Sequence, residues 1–272
     1  MRQDNPTLKQ MLDSETIRRR FEELLDKSAP SFISSILTIF NSNSKLRECS
    51  PNSILSAAGI AAALKLPINP SLGFAFIVPY KGLATFQMGA KGFVQLAMRS
   101  GQYRTLHAGA VREGQLKEID FVTGEIIRGE KVSDAIVGYV AYMELINGFT
   151  KALYMTVEEL YAHAEKYSMS YAYDLKHGRK TSVWSTNFDA MARKTVLKRL
   201  LSNFGVISID QQSAALATAL QADQAAITED GFRYVDNERG EEKIVPFNEI
   251  LDLPEAGDDA PPADDDTEDN HD

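Results

Sequence analysis

The 272-residue sequence contains one cysteine, Cys49, and four scattered histidines. A single cysteine cannot form an internal disulfide, and these five residues do not have the spacing of a zinc site. No apolar run approaches the roughly 20 residues that a membrane-spanning helix needs. The first ten residues, MRQDNPTLKQ, lack the apolar segment of a signal peptide. We therefore expect a protein of a reducing, cytoplasmic compartment.

Motifs of common enzyme classes are also missing. The sequence has no phosphate-binding P-loop, no dinucleotide fingerprint and no serine in a nucleophile elbow. Glu113, Glu118, Asp120 and Glu125 are close in sequence, but they flank turns and do not resemble the clustered carboxylates of a magnesium-dependent nuclease. We predict no catalytic residue, no cofactor and no metal, which favours a binding protein over an enzyme.

The net charge of -9 averages two unlike regions. Residues 210–272 hold 19 Asp and Glu against three basic residues, whereas residues 1–209 hold 26 Lys and Arg against 19 acidic residues. This asymmetry predicts a basic body with an acidic tail. The body could bind nucleic acid, or it could be an ordinary domain whose tail keeps it soluble.

The first part of the chain predicts helices followed by strands. Helices are expected from Ser14, over 31–40, and after Ser50, where Pro51 suits the first helical position. Strands are expected at 74–80 and 83–88. A short helix from Gly92 to Arg99 should follow and end at Gly101.

The next part predicts antiparallel hairpins and two further helices. A strand over 103–111 precedes expected turns at Thr123-Gly124 and Asn147-Gly148. Thr156 and Glu159 form a capping-box pattern that begins a helix, 168–183 is predicted as a loop, and a last helix spans 183–203.

This element order predicts an α+β fold with an antiparallel sheet core, packed helices and an N-terminal helical region. We expect a flexible N-terminus over 1–13 and a body over 14–209. The acidic tail, 210–272, could begin with a helix, but composition predicts that it is largely disordered.

Basic and aromatic residues alternate near the last helix. The segment before it holds Lys176, Arg179 and Lys180 together with Tyr171 and Tyr173, and Trp184 follows. Such a mixture suits single-stranded nucleic acid, because cations neutralise phosphates and rings stack on bases. Lys194 and Lys198 lie four residues apart and share a helix face. The alternatives are a core tryptophan and a solvated helix surface.

Longer motifs carry a family resemblance. The stretches LPINPSLGFAFIVPYKG, FQMGAKGFVQLAMRSGQY, AVREGQ and FDAMARKTVLKRLLSNFGVISID resemble the RecT family of phage and prophage single-strand annealing proteins over roughly residues 15–210. One departure is Ala90, where the family often has an aromatic residue. Tyr80 or Phe86 could supply the ring instead.

The resemblance implies single-stranded DNA binding, ATP-independent annealing of complementary strands, and assembly into rings or filaments. It also implies N-terminal helices in subunit contacts and work beside a phage exonuclease. The implied DNA-facing residues are Lys81, Lys91, Arg99, Lys194, Lys198 and Arg199, with Arg104, Arg112 and Arg193 as weaker candidates. Rings that could stack on bases are Tyr80, Phe86, Tyr103, Tyr171 and Trp184. Gly89 and Gly92 could let a phosphate or a neighbouring strand approach, whereas Gly101 suits a plain turn.

Three alternatives stay open from the sequence. The acidic tail could compete with DNA, dock a partner such as the exonuclease or a host single-strand-binding protein, or only keep the chain soluble. The protein could instead be a magnesium-dependent nuclease of a phage recombination operon. It could also form filaments without DNA.

Overall fold

The computed structural model describes residues 7–120, 122–206, 219, 222–223, 225–228 and 231–234. The segment 1–13, for which flexibility is expected, contains a helix at Leu8–Asp13 with Leu8 and Leu12 buried. The N-terminal region as a whole is helical, as predicted from Ser14 onward. Its helices are α1 (Leu8–Asp13), α2 (Glu15–Leu25), α3 (Ala29–Ser42), α4 (Ser44–Arg47) and α5 (Pro51–Ala63), with one turn of 3-10 helix at Asp26–Ser28. Ser50 precedes α5 and Pro51 begins it, as the sequence predicts. Four alanines of α5 are almost fully buried, Ala57, Ala58, Ala61 and Ala62, which allows its backbone to lie close to its neighbours.

The first sheet contains the predicted hairpin of β1 (Ala75–Tyr80) and β2 (Leu83–Met88). Lys81 and Gly82 form its turn, and both have positive φ angles, 45° and 80°. The described residues extend this sheet in the order β1-β2-β8-β9, with β8 at Ala225–Thr228 and β9 at Gly231–Tyr234. Composition did not predict these two strands, which lie in the acidic segment 210–272. Residues 219, 222 and 223 of the tail are also described. The remaining tail residues, for which disorder is predicted, lie outside the described part of the chain.

The second sheet forms after helix α6 (Ala90–Arg99). Its strands are β3 (Tyr103–Arg112), β6 (Ile136–Leu145) and β7 (Thr150–Thr156), in the order β3-β6-β7 among the described residues. A separate arm pairs β4 (Leu116–Ile119) with β5 (Ile126–Arg128). Both predicted hairpin turns are confirmed, with Gly124 and Gly148 at φ angles of 71° and 87°. All strand pairs among the described residues are antiparallel.

The second sheet leads into α7 (Val157–Tyr167), α8 (Met169–His177), α9 (Val183–Thr186) and α10 (Phe188–Phe204). The capping box at Thr156 and Glu159 is confirmed, since each side chain bonds the other residue's backbone N–H. The prediction of a loop over 168–183 is wrong at α8. The Ser168 side chain caps the start of that helix, and Gly178, at φ 62°, ends it in the left-handed conformation.

Helix α10 connects the two hydrophobic cores. Leu197 and Leu201 pack into the core formed by the N-terminal helices and the first sheet. Ala192, Val196 and Leu200 pack into the core of the second sheet and α7. These contacts confirm the α+β class. No helix in the described part of the chain combines the length and the apolar character needed to cross a membrane.

Candidate nucleic-acid interface

The two longest sequence motifs meet at one buried carboxylate, that of Asp223. The backbone N–H of Met88, at the end of β2, donates to its Oδ1 at 2.8 Å. From α10, Lys194 Nζ lies 3.3 Å from Oδ1 and Lys198 Nζ lies 2.9 Å from Oδ2. We call these three donors the lysine pocket. They join the segment that precedes α6 to the helix that follows Trp184.

The lysine pocket is largely closed to solvent. The Asp223 side chain is 0 % exposed, that of Lys194 is 10 % exposed and that of Lys198 is 28 % exposed. Burial opposes ionisation of Asp223, but the two lysines and the Met88 N–H outweigh it and hold the pKa of the carboxyl below its usual range. In this structure Lys194 is therefore occupied by the chain's own carboxylate. Sequence reasoning missed Asp223 because it lies in the acidic segment, far along the chain from its partners.

A cleft of about 320 Å³ lies beside the lysine pocket, between α6, β3 and α10. Lys91 and Arg193 line it together with apolar side chains that include Phe74 and Leu197. Arg193 is held in place, because its Nε lies 2.8 Å from Asp189 Oδ2 and its Nη1 donates to the Ala108 carbonyl at 3.2 Å. Two predicted cations, from distant parts of the sequence, thus face one cleft.

Gly89, just before α6, and Gly92, in its first turn, allow the backbone of residues 73–74 to pack closely against them. A Cβ atom on Gly89 would lie 2.0 Å from the Gly73 carbonyl oxygen, and one on Gly92 would lie 2.3 Å from that of Phe74. The expectation that a phosphate approaches here does not fit, because the backbone of residues 73–74 occupies the space. Gly101 has a φ of 67° and open space around it, which agrees with a plain turn.

Asp174 organises the basic loop between α8 and α9. Its buried carboxylate accepts hydrogen bonds from the backbone N–H groups of Thr181 and Ser182 and from the hydroxyls of Thr181 and Ser185. Burial opposes ionisation, but these donors outweigh it and hold the pKa of Asp174 well below its usual range. We call residues 178–182 the clasped loop.

The clasped loop and the end of α8 present cations to solvent. Lys176, Arg179 and Lys180 are all exposed. The Arg179 guanidinium lies 5.7 Å from the centre of the Tyr173 ring, which also stacks on His177 at 4.0 Å. Tyr173 is 46 % exposed. Tyr173 is therefore more exposed to solvent than Tyr171 and Trp184, the other two rings of this segment.

The aromatic rings that were predicted to stack on bases differ in their exposure to solvent. Phe86 and Trp184 are 0 % and 5 % exposed, so in this structure neither offers a face to a base. Trp184 is a core residue, which was the alternative interpretation.

Three other predicted rings are half-buried. The Tyr103 hydroxyl accepts the Val206 N–H at 3.0 Å, and Tyr171 stacks on Tyr161. The Tyr80 hydroxyl donates to the Met169 sulfur, which brings the β1–β2 turn next to the start of α8.

Besides Arg193, Lys194 and Lys198, three further predicted cations are bound by the protein itself. Arg104 pairs with Glu144 at 2.7 Å, and Arg112 pairs with Asp134 at 3.2 Å. Arg99 donates to the backbone carbonyls of Leu64 and Lys65, just after α5 ends. These arginines are less available to a phosphate than cations without such partners.

Six predicted cations have no carboxylate partner within the described residues. They are Lys81, Lys91, Lys176, Arg179, Lys180 and Arg199, and all six are exposed. Lys81 lies at the β1–β2 turn, beside the Tyr80 ring. Lys91 follows the other end of this hairpin, roughly 20 Å away, given the rise of a six-residue strand. The cations therefore extend along the surface.

Sequence reasoning missed His163 and Lys166, which lie near Arg199. Burial, followed by the charges of Arg199, Lys198 and Lys166, lowers the pKa of His163 to about 4. Arg199 and Lys198 of α10 and Lys166 of α7 are thus close enough to His163 to disfavour its charged form. The described residues contain no group of three His, Cys, Asp or Glu side chains arranged to hold a metal ion.

Comparison with known proteins agrees with the motifs. Residues 30–242 match the model of the RecT family. The chain is 44 % identical to "Uncharacterized protein YqaK" of Bacillus subtilis (strain 168) over 218 residues, which cover 79 % of this chain and 73 % of that protein. It is 28 % identical to "Protein RecT" of Escherichia coli (strain K12) over 222 residues, which cover 78 % and 76 %.

Proposed function

The chain belongs to the RecT family of DNA recombination and annealing proteins, and on this premise we propose that it binds single-stranded DNA and anneals complementary strands without ATP. The observation that carries this proposal is the set of six exposed cations without carboxylate partners in the described part of the chain. Arg179 and Lys180 belong to the clasped loop, Lys176 lies at the end of α8 just before it, and Lys91 lies at the cleft beside α10.

The mechanism is neutralisation of charge. Two DNA strands repel each other, and each phosphate that a lysine or arginine neutralises releases counterions and contributes affinity without reading sequence. Tyr173 adds a ring face on which a base of any sequence can stack. The base edges stay free, and pairing between the strands supplies the specificity. No covalent bond forms or breaks, so the proposed activity needs no catalytic residue, and we propose that the protein is not an enzyme.

Annealing over a long strand requires many copies of the protein. We propose a ring or helical filament in which each subunit repeats the same cations at a fixed spacing along the DNA. Exposed apolar side chains support contacts between subunits. Val122 and Val132 are each 75 % exposed, near the β4–β5 arm.

The cellular setting follows from the same proposal. A phage-type recombination system needs an exonuclease to expose single strands, and we propose that the acidic C-terminal segment binds this exonuclease or a host single-strand-binding protein. The reaction would take place in the cytoplasm, where the DNA is.

Successive addition of two complementary labelled oligonucleotides tests the proposal. We expect the protein to bind the first strand whatever its sequence, more weakly as salt increases, and then to form duplex when the second strand arrives. Both strands should remain intact with magnesium present. Shortened strands would support the nuclease alternative, and assemblies indifferent to DNA and salt would support the structural one.

A further inference from the structure

The lysine pocket has the donors of an anion-binding site. Two ammonium groups and one backbone N–H converge on a single carboxylate within 2.8–3.3 Å. A phosphodiester presents the same chemistry, since it has two charged oxygens that accept from lysines and backbone N–H groups. The pocket lies on α10, directly after Arg193, whose side chain lines the cleft that Lys91 also lines. The cleft next to the pocket thus contains Lys91, one of the cations that we assign to the DNA.

The current occupant of the pocket comes from the acidic segment of the chain. Ala219 and Ala222 are 0 % and 1 % exposed, so this segment contacts the body through small side chains. Strand β8 then pairs with β2, with Thr85 opposite Ala226. Burial of this ion-paired cluster costs desolvation of three charged groups, which their Coulombic attraction must offset. If another anion takes the place of the Asp223 carboxylate, the Coulombic attraction to the two lysines is retained.

We propose that the lysine pocket is a phosphate site of the DNA interface, occupied by the Asp223 carboxylate until DNA displaces it. This inference rests on the proposed function. On displacement, a phosphate of the strand takes the place of the carboxylate against Lys194 and Lys198, and β8 leaves the edge of β2. Residues 210–272 carry 19 acidic and three basic residues. Repulsion between this segment and a bound strand therefore favours the open state.

The first test replaces Asp223 by Asn (D223N), which keeps the shape of the side chain and removes its charge. Single-stranded DNA should bind roughly eightfold more tightly at about 50 mM salt, because the strand no longer has to displace a carboxylate, and that displacement costs the wild type about what one phosphate contact contributes through counterion release. The matched control is Glu118→Gln, an equal change in net charge at an exposed residue of β4. Circular dichroism establishes that each variant is folded.

The second test uses the wild-type protein and does not depend on a variant that folds. Amide hydrogen exchange is followed over residues 222–228 with and without a saturating oligonucleotide. The proposal requires faster exchange over these residues when DNA is bound, because β8 leaves the sheet. Unchanged or slower exchange overturns it, and so does equal or weaker DNA binding by folded D223N. Failure of the wild-type protein to bind any oligonucleotide would instead refute the proposed function.

Discussion

The clasped loop provides the sharpest test of the DNA-binding surface. Changing Lys176, Arg179 and Lys180 together to Ala removes three exposed cations and leaves the Asp174 hydrogen bonds intact. For single strands, each phosphate contact contributes a slope of about -0.7 to the dependence of log affinity on log salt concentration. Loss of three contacts should therefore flatten the slope by about 2. At about 0.1 M salt, the affinity should fall on the order of 100-fold.

Fluorescence anisotropy of labelled oligonucleotides across a salt series measures both quantities. Several unrelated sequences should be used, because loss of phosphate contacts weakens them equally. The matched control changes Lys9, Lys27 and Lys45 to Ala, which removes the same charge from exposed positions in the N-terminal helical region. If the two triple variants flatten the slope equally, the clasped loop has no special role. If the loop variant keeps the wild-type slope, the loop does not contact DNA.

Three further predictions concern stability and the separate roles of the cations. Gly92→Ala should lower the free energy of unfolding by about 1–3 kcal/mol, because its Cβ would lie 2.3 Å from the Phe74 carbonyl oxygen; a denaturant titration that shows no loss contradicts this. Arg99→Ala should cost about 1–2 kcal/mol of stability through its two lost hydrogen bonds. It should affect DNA affinity less than Lys91→Ala does, and the reverse order in anisotropy would assign Arg99 to the DNA. Stability should also fall as pH drops from 6.5 towards 4, because the unfolded chain protonates His163 in this window while the folded protein resists it. His163→Gln should reduce the difference in melting temperature between the two ends of this window, and an unchanged difference would exclude His163 as its source.

Local sequence signals predicted much of the fold. The Asn147-Gly148 turn and the capping box at Thr156 need only a few adjacent residues, and both are present. Helix α8 was missed because its polar and aromatic residues resemble a loop, although Ser168 and Gly178 are suitable caps in retrospect. Local propensity decides such short helices poorly, since packing against neighbouring elements contributes most of their stability.

The candidate interface was harder to predict, because its parts are distant in the sequence. The spacing of Lys194 and Lys198 places them on one helix face, but spacing cannot show that a carboxylate faces them. Asp223 is 135 residues from Met88, whose N–H it accepts. No local pattern encodes a contact of that range. Charge counting also could not distinguish Arg104, which pairs with Glu144, from Lys91, which has no carboxylate partner in the described residues.

The rate at which two complementary oligonucleotides pair tests the central claim most directly. The measurement follows fluorescence energy transfer between labels on the two strands, in low salt, with a chelator present and no nucleotide. We predict that the protein accelerates pairing well above the spontaneous rate, and that added salt reduces the acceleration. A pairing rate equal to the spontaneous one, at protein concentrations that saturate the first strand, would contradict the account.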